Sequence, residues 1–177
     1  MEDQSMNIAS RLLGLNPLVD KEKLFPALVP EAAQLVFENP YAFCVATCLD
    51  RGTKADLIWT IPYWLQQMVG HFDPCRFFQF SEVDLLGLVN RLPRKPRYYT
   101  SAPRTIFELT RIVVEDFDGN AARIWKGRQA MAVRRTFLQI YGVGPGIANM
   151  AVLLLEKAYN VRFSDLDHSR MDIKPDV

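Results

Sequence analysis

From residue 137 to residue 160 the chain reads FLQIYGVGPGIANMAVLLLEKAYN, two apolar runs separated by Gly142, Val143, Gly144, Pro145 and Gly146. The chemistry open to such a corner belongs to the main chain. Glycine leaves amide N–H groups uncovered and accepts dihedral angles that other residues avoid. Where a helix begins at the corner, its first-turn N–H groups lack intrahelical acceptors and the positive end of its dipole points outward. A phosphate can be held there without a cationic side chain. Ala148, four residues beyond Gly144, is small enough to let the flanking helices cross closely. A structural corner could use the same residues, so the rest of the sequence has to decide between these readings.

Other residue types with chemical potential are less organised. Cys44 and Cys48 stand at i and i+4 in an apolar segment, and with Cys75 they make an odd count with no metal-ligand spacing. Buried structural thiols are the expectation. His71 and His168 have no partners at metal spacing. The stretch SDLDHSRMD sets Asp165, Asp167 and Asp172 near His168 but has no calcium-loop pattern. Trp59, Trp64 and Trp125 read as core residues. Tyr98 and Tyr99 follow a basic, proline-rich stretch, where they could stack on bases or simply pack.

Charge is distributed unevenly. Between residues 85 and 135 there are eleven Lys and Arg against four Asp and Glu, a local net charge of +7 in a chain whose overall net charge is +1. A basic surface in a neutral protein suits a polyanion, although charges spread over solvated helix faces give the same sum. The composition, 49% hydrophobic and 23% charged, is that of a soluble globular protein. No apolar run reaches membrane-spanning length and the start MEDQSMNIAS is not a signal peptide. A cytoplasmic, nucleoid-associated monomer without membrane contact is the expectation.

The elements that must position these residues are helices. PEAAQLVFE has Pro30 in its first turn, and PYAFCVATCLD is apolar nearly all round, as a central buried helix would be. RGT interrupts it. TKADLIWTIPYWLQQMVG restarts with Thr53 as N-cap and Asp56 three residues on, is kinked or split by Pro62, and ends at Gly70. Ser81 with Asp84, and Thr105 with Glu108, repeat the capping-box spacing. Ile106, Leu109, Ile112 and Val113 form an apolar stripe. Asp118-Gly119-Asn120 is a turn, AARIWKG is a short segment, and only VRFS hints at extended structure. The chain reads as all-α.

The corner with its flanks has the form h-x-G-x-G-x-x-x-A of a helix-hairpin-helix. In NPYAFCVATCLDRGTKAD (39–56), IYGVGPGIANMAVLLL (140–155) and DIKPDV (172–177), in that order, the sequence resembles the endonuclease III-like helix-hairpin-helix DNA glycosylases. The resemblance covers the chain from residue 39 to its end. It implies an all-α core over residues 39–160 with the hairpin at 131–160, and a second lobe built from residues 1–38 and from a segment starting at 161–177. It also implies a base-excision repair enzyme that hydrolyses the N-glycosidic bond of a damaged or mismatched base in double-stranded DNA. The residues carried over are Asp176 as the catalytic carboxylate, Gly142, Val143, Gly144 and Gly146 at the DNA backbone, and Arg51, Gly52 and Thr53 at the position of the wedge. A monovalent cation held by the main-chain carbonyls of Leu138, Ile140 and Val143 is implied as well. As residues alone, KPD before a helix equally suits Asp176 as an N-cap.

Departures from the family's pattern shape the expectation. Lyase members carry a lysine where this chain has Gly146, so Schiff-base chemistry has no nucleophile there. The wedge falls on Gly52, leaving Arg51 as the neighbour able to fill a flipped-base gap. The four cysteines that hold an iron–sulfur cluster in many members are not in this sequence. A monofunctional glycosylase with a shortened second lobe and weakened activity is expected, with Leu12, Leu13, Leu15, Leu18, Leu24 and Phe25 short of covering partners. A terminal carboxylate next to Asp176 would favour its protonated form. The alternative is a non-catalytic helix-hairpin-helix DNA-binding module.

Overall fold

A computed structural model describes residues 19–166. Among these residues every regular element is helical: α1 Lys21–Leu24, α2 Pro30–Glu38, α3 Pro40–Leu49, α4 Ala55–Ile58, α5 Ile61–Val69, α6 Pro74–Phe77, α7 Glu82–Asn90, α8 Ala102–Asp116, a 3-10 turn Ala121–Ile124, α9 Ala130–Leu138 and α10 Pro145–Ala158. VRFS forms no strand; its residues run as irregular chain after α10.

Helix α3 is the centre of the molecule. Residues Tyr41 to Leu49 are all buried, because α2, α5, α8, α10 and the 3-10 turn pack around it. The helix starts where Asn39 caps the Tyr41 and Ala42 N–H groups and Pro40 takes the first position, whose N–H is not needed. A ring cluster fixes one side of α3. Phe43 lies 5.9 Å from Trp125 and 5.5 Å from Tyr159, and Phe25 lies 4.9 Å from Trp59. The Tyr159 hydroxyl donates to the Val36 carbonyl at 2.8 Å, which satisfies its only polar group inside the core. Burial holds the Tyr159 phenol and the Cys44 and Cys48 thiols well above their ordinary ionisation range, so these groups stay neutral.

Phe25 corrects one expectation. It is fully buried in this cluster, and Leu24 packs against the core beside it. Leu12, Leu13, Leu15 and Leu18 lie outside the described residues.

The caps sort into two groups. Ser81 and Asp84 form the reciprocal capping box at α7, Pro62 falls in the first turn of α5, and Gly70 ends α5 in the left-handed conformation with φ +84°. Thr53 and Thr105 do not cap. Helix α4 starts after Lys54, while the Thr53 hydroxyl accepts the Arg97 N–H at 2.9 Å. Helix α8 starts three residues before Thr105, which is buried inside it. Both hydroxyls bond across elements, and that is what overrides the local pattern.

Candidate functional site

The hairpin is formed by α9 and α10. The two helices pack on each other, and Ala148 is completely buried. After α9 the Val143 N–H donates back to the Ile140 carbonyl at 3.0 Å, closing a turn with Gly142 at φ +82°. Only glycine takes that conformation without strain. Gly144 is the N-cap of α10, with φ −98° and ψ 179°, and Pro145 occupies the first helical position. No side chain caps this helix end. Proline has no N–H, and the next two amides, of Gly146 and Ile147, stand where intrahelical acceptors are missing.

The three glycines therefore have different reasons. At Gly142 a Cβ would collide with the Arg51 guanidinium, and the dihedral alone requires glycine. At Gly144 and Gly146 a Cβ would meet nothing within 4 Å, and neither has a positive φ. At Gly144 neither the dihedral nor the surrounding space requires glycine, and a Cβ there would enter open space.

Arg51 and Gly142, which the sequence places about ninety residues apart in two separate blocks, meet at this corner. The Arg51 guanidinium lies against Gly142, and its Nη2 donates to Thr105 Oγ1 at 2.9 Å. That hydroxyl donates in turn to the Tyr141 carbonyl, also at 2.9 Å. The Tyr141 N–H donates to Glu108 Oε2 at 2.7 Å, and Arg104 Nε donates to Glu108 Oε1 at 3.2 Å. One turn of α8 thus holds both main-chain polar groups of the residue before the corner. Arg51 Nε is buried with no hydrogen-bond partner among the described residues. Thr105 and Glu108 are the site residues that local reading misses, since a capping-box spacing fits them equally well.

Beyond Arg51, the connection between α7 and α8 runs along the same side. Gly52 sits against Arg97 and Tyr98, where a Cβ would come 3.2 Å from Arg97 Nη1. Arg51 and Arg97 both lie over the Tyr98 ring, 5.7 and 5.5 Å from its centre; Lys95 lies over Tyr99 at 5.1 Å, and Arg104 over Tyr141 at 4.2 Å. The three rings remain 47%, 38% and 39% exposed.

The main-chain oxygens named for a monovalent cation are of suitable type. Leu138 ends α9, where carbonyls lack intrahelical donors, and the Ile140 carbonyl has one lone pair engaged by Val143. For an iron–sulfur cluster the donors do not fit: Cys44 and Cys48 are sealed in the core and Cys75 is exposed elsewhere. No group of three or more His, Cys, Asp or Glu is placed to hold a metal among the described residues.

Asp165 has a different task from metal binding. It receives the Ala130 and Met131 N–H groups at 2.8 and 3.0 Å, and so caps α9 from thirty-five residues away. The Met131 N–H foremost lowers its carboxyl below the usual range. His71 accepts the Asp73 N–H and leans edge-on against Phe77, and partial burial lowers its affinity for a proton. Asp167, His168, Asp172 and Asp176 lie outside the described residues. No protein-family model, no curated protein and no solved structure matches the chain. No helix among the described residues is long and apolar enough to cross a membrane.

Proposed function

We propose that this chain is a DNA glycosylase of the helix-hairpin-helix kind, gripping duplex DNA by a backbone phosphate at the start of α10. The observation that carries the reading is the Arg51–Gly142 contact. A guanidinium is held against Gly142, two residues before the uncapped start of α10, so a positive side chain and a helix start lie close along the same corner. Arg51 comes from the block that resembles the family's wedge segment and Gly142 from the block that resembles its hairpin, and their contact supports the reading. In the reaction, the target base leaves the stack and its C1′–N bond lengthens, building positive charge on the sugar. Asp176 is assigned to stabilise that charge and to take a proton from the water whose oxygen bonds to C1′. The base departs with the electron pair of the broken bond. Gly146 in place of lysine makes the enzyme a hydrolase without lyase activity.

A second reading is a DNA-binding module without catalysis, which needs only what the corner itself offers, Arg51 against Gly142 and the uncapped start of α10. Base release from duplexes carrying a panel of damaged bases distinguishes the two. The glycosylase reading expects release from at least one duplex, abolished by Asp176→Asn. Release that survives the substitution contradicts the role of Asp176, and binding without any release leaves the module.

A further inference from the structure

The connection from Arg91 to Ser101, RLPRKPRYYTS, carries four cations and no carboxylate. Its cations are treated differently from those on other faces. Arg111 pairs with Glu115 and Arg123 with Asp118, so their charge is largely cancelled locally. Among the described residues no carboxylate pairs with Lys95, Arg97 or Arg51; each is steadied over a tyrosine ring instead. A ring restrains a cation without neutralising it, so the full charge remains available to an anion. Tyr98, Tyr99 and Tyr141 are all exposed, so a partner can reach the cations and the aromatic residues together. Pro93 and Pro96 restrict the backbone that carries them.

We infer that Tyr141, Tyr98 and Tyr99, with Arg51, Arg97 and Lys95, form a platform for an unpaired DNA strand that continues from the hairpin. Cations set against exposed tyrosines offer the two things a single strand can use, charge for its phosphates and aromatic surface for its bases. A fully paired duplex offers the phosphates but hides the base faces in its own stack. Only unpaired bases can lie on a tyrosine ring or on a guanidinium plane. The Arg51 guanidinium touches both the hairpin corner and the Tyr98 ring, which makes the two surfaces continuous. The inference rests on the duplex-binding reading for where the paired region lies, and its test separates the two.

The test compares the full chain's affinity for a plain duplex, for the same duplex extended by an unpaired thymidine tail, and for a thymidine oligomer alone. The tail is expected to strengthen binding. The Tyr98→Ala/Tyr99→Ala double variant is expected to lose about tenfold or more on the tailed duplex and on the oligomer, and less than about twofold on the plain duplex. The Tyr98→Phe/Tyr99→Phe variant keeps the rings and is expected to keep the preference. Gly144→Glu is expected to weaken both duplexes alike and to preserve the advantage of the tail. An absent preference, an equal loss on all three DNAs in the alanine variant, or a loss in the phenylalanine variant overturns the inference. Displacement of the oligomer by polyglutamate at equal charge overturns it in favour of an acidic protein partner. If Gly144→Glu leaves plain-duplex binding intact while the alanine variant still abolishes the preference, the hairpin reading fails and the platform stands.

Discussion

Two corners of this molecule share a backbone solution and differ in electrical state. At residues 118–120 the chain leaves α8 with Asp118 at φ +53° and Gly119 at φ +75°; at residues 142–144 it leaves α9 with Gly142 at φ +82°. Each left-handed glycine is packed against a side chain from a distant element, Cys75 in the first case and Arg51 in the second. The first corner is closed. Asp118 is paired with Arg123, and Asn120 caps the following 3-10 turn. The second corner is open, with an uncapped helix start, an arginine that has no carboxylate partner among the described residues, and free space where a Cβ on Gly144 or Gly146 would lie. A left-handed glycine is therefore a matter of chain geometry. What could make a corner a site is the charge left unbalanced around it.

Alanine at either left-handed glycine is the strongest way to probe the shared part of this comparison. Gly142→Ala and Gly119→Ala should each cost about 1–3 kcal/mol from the forced dihedral, read as a lower Tm. Only Gly142→Ala, which also displaces Arg51, should weaken duplex binding. Equal DNA binding by the two variants would remove the distinction between the corners.

Thr105→Val tests how the open corner is held. It removes the acceptor of Arg51 and the donor to the Tyr141 carbonyl, with an expected loss of about 1–2 kcal/mol in chemical denaturation. An unchanged denaturation midpoint would mean that the bridge does not hold the corner.

Gly144→Ala sharpens the contrast within the hairpin. Its Cβ enters open space at an ordinary φ, so stability should stay within about 0.5 kcal/mol of the parent.

The smallest effect concerns the tail. The Asp165 carboxyl is depressed by the N–H groups it receives, so its contribution is present above the unfolded value, near pH 4, and is lost as pH falls through the depressed folded value. An acid titration should show Asp165→Asn and the parent converging at low pH. A difference that grows on acidification would contradict this.

Much of the scaffold is legible in the sequence because the signals are local. Pro30 and Pro40 at helix starts, the Ser81–Asp84 box, Gly70 at a helix end and the stripe from Ile106 to Val113 all act within a turn or two of themselves. The residues that local patterns do not place are those whose partner is remote. Thr53 bonds Arg97, Thr105 bonds Arg51 and Tyr141, and Asp165 bonds Ala130 and Met131, across separations that no short pattern records. Tyr98 and Tyr99 were visible only as aromatic residues near cations; which cation lies over which ring is a tertiary fact. The hairpin lies between these cases. Its corner is written in the glycines, but the arginine that makes it electropositive comes from a block ninety residues earlier.

The central claim is that the open corner grips a DNA phosphate. Its most direct test is duplex affinity against salt concentration for the parent chain and for Gly144→Glu, with Tm measured alongside. The account predicts salt-sensitive binding by the parent, and a loss of about tenfold or more when a carboxylate occupies the phosphate position while Tm is little changed. Equal affinity and an equal salt slope for the two proteins would contradict it.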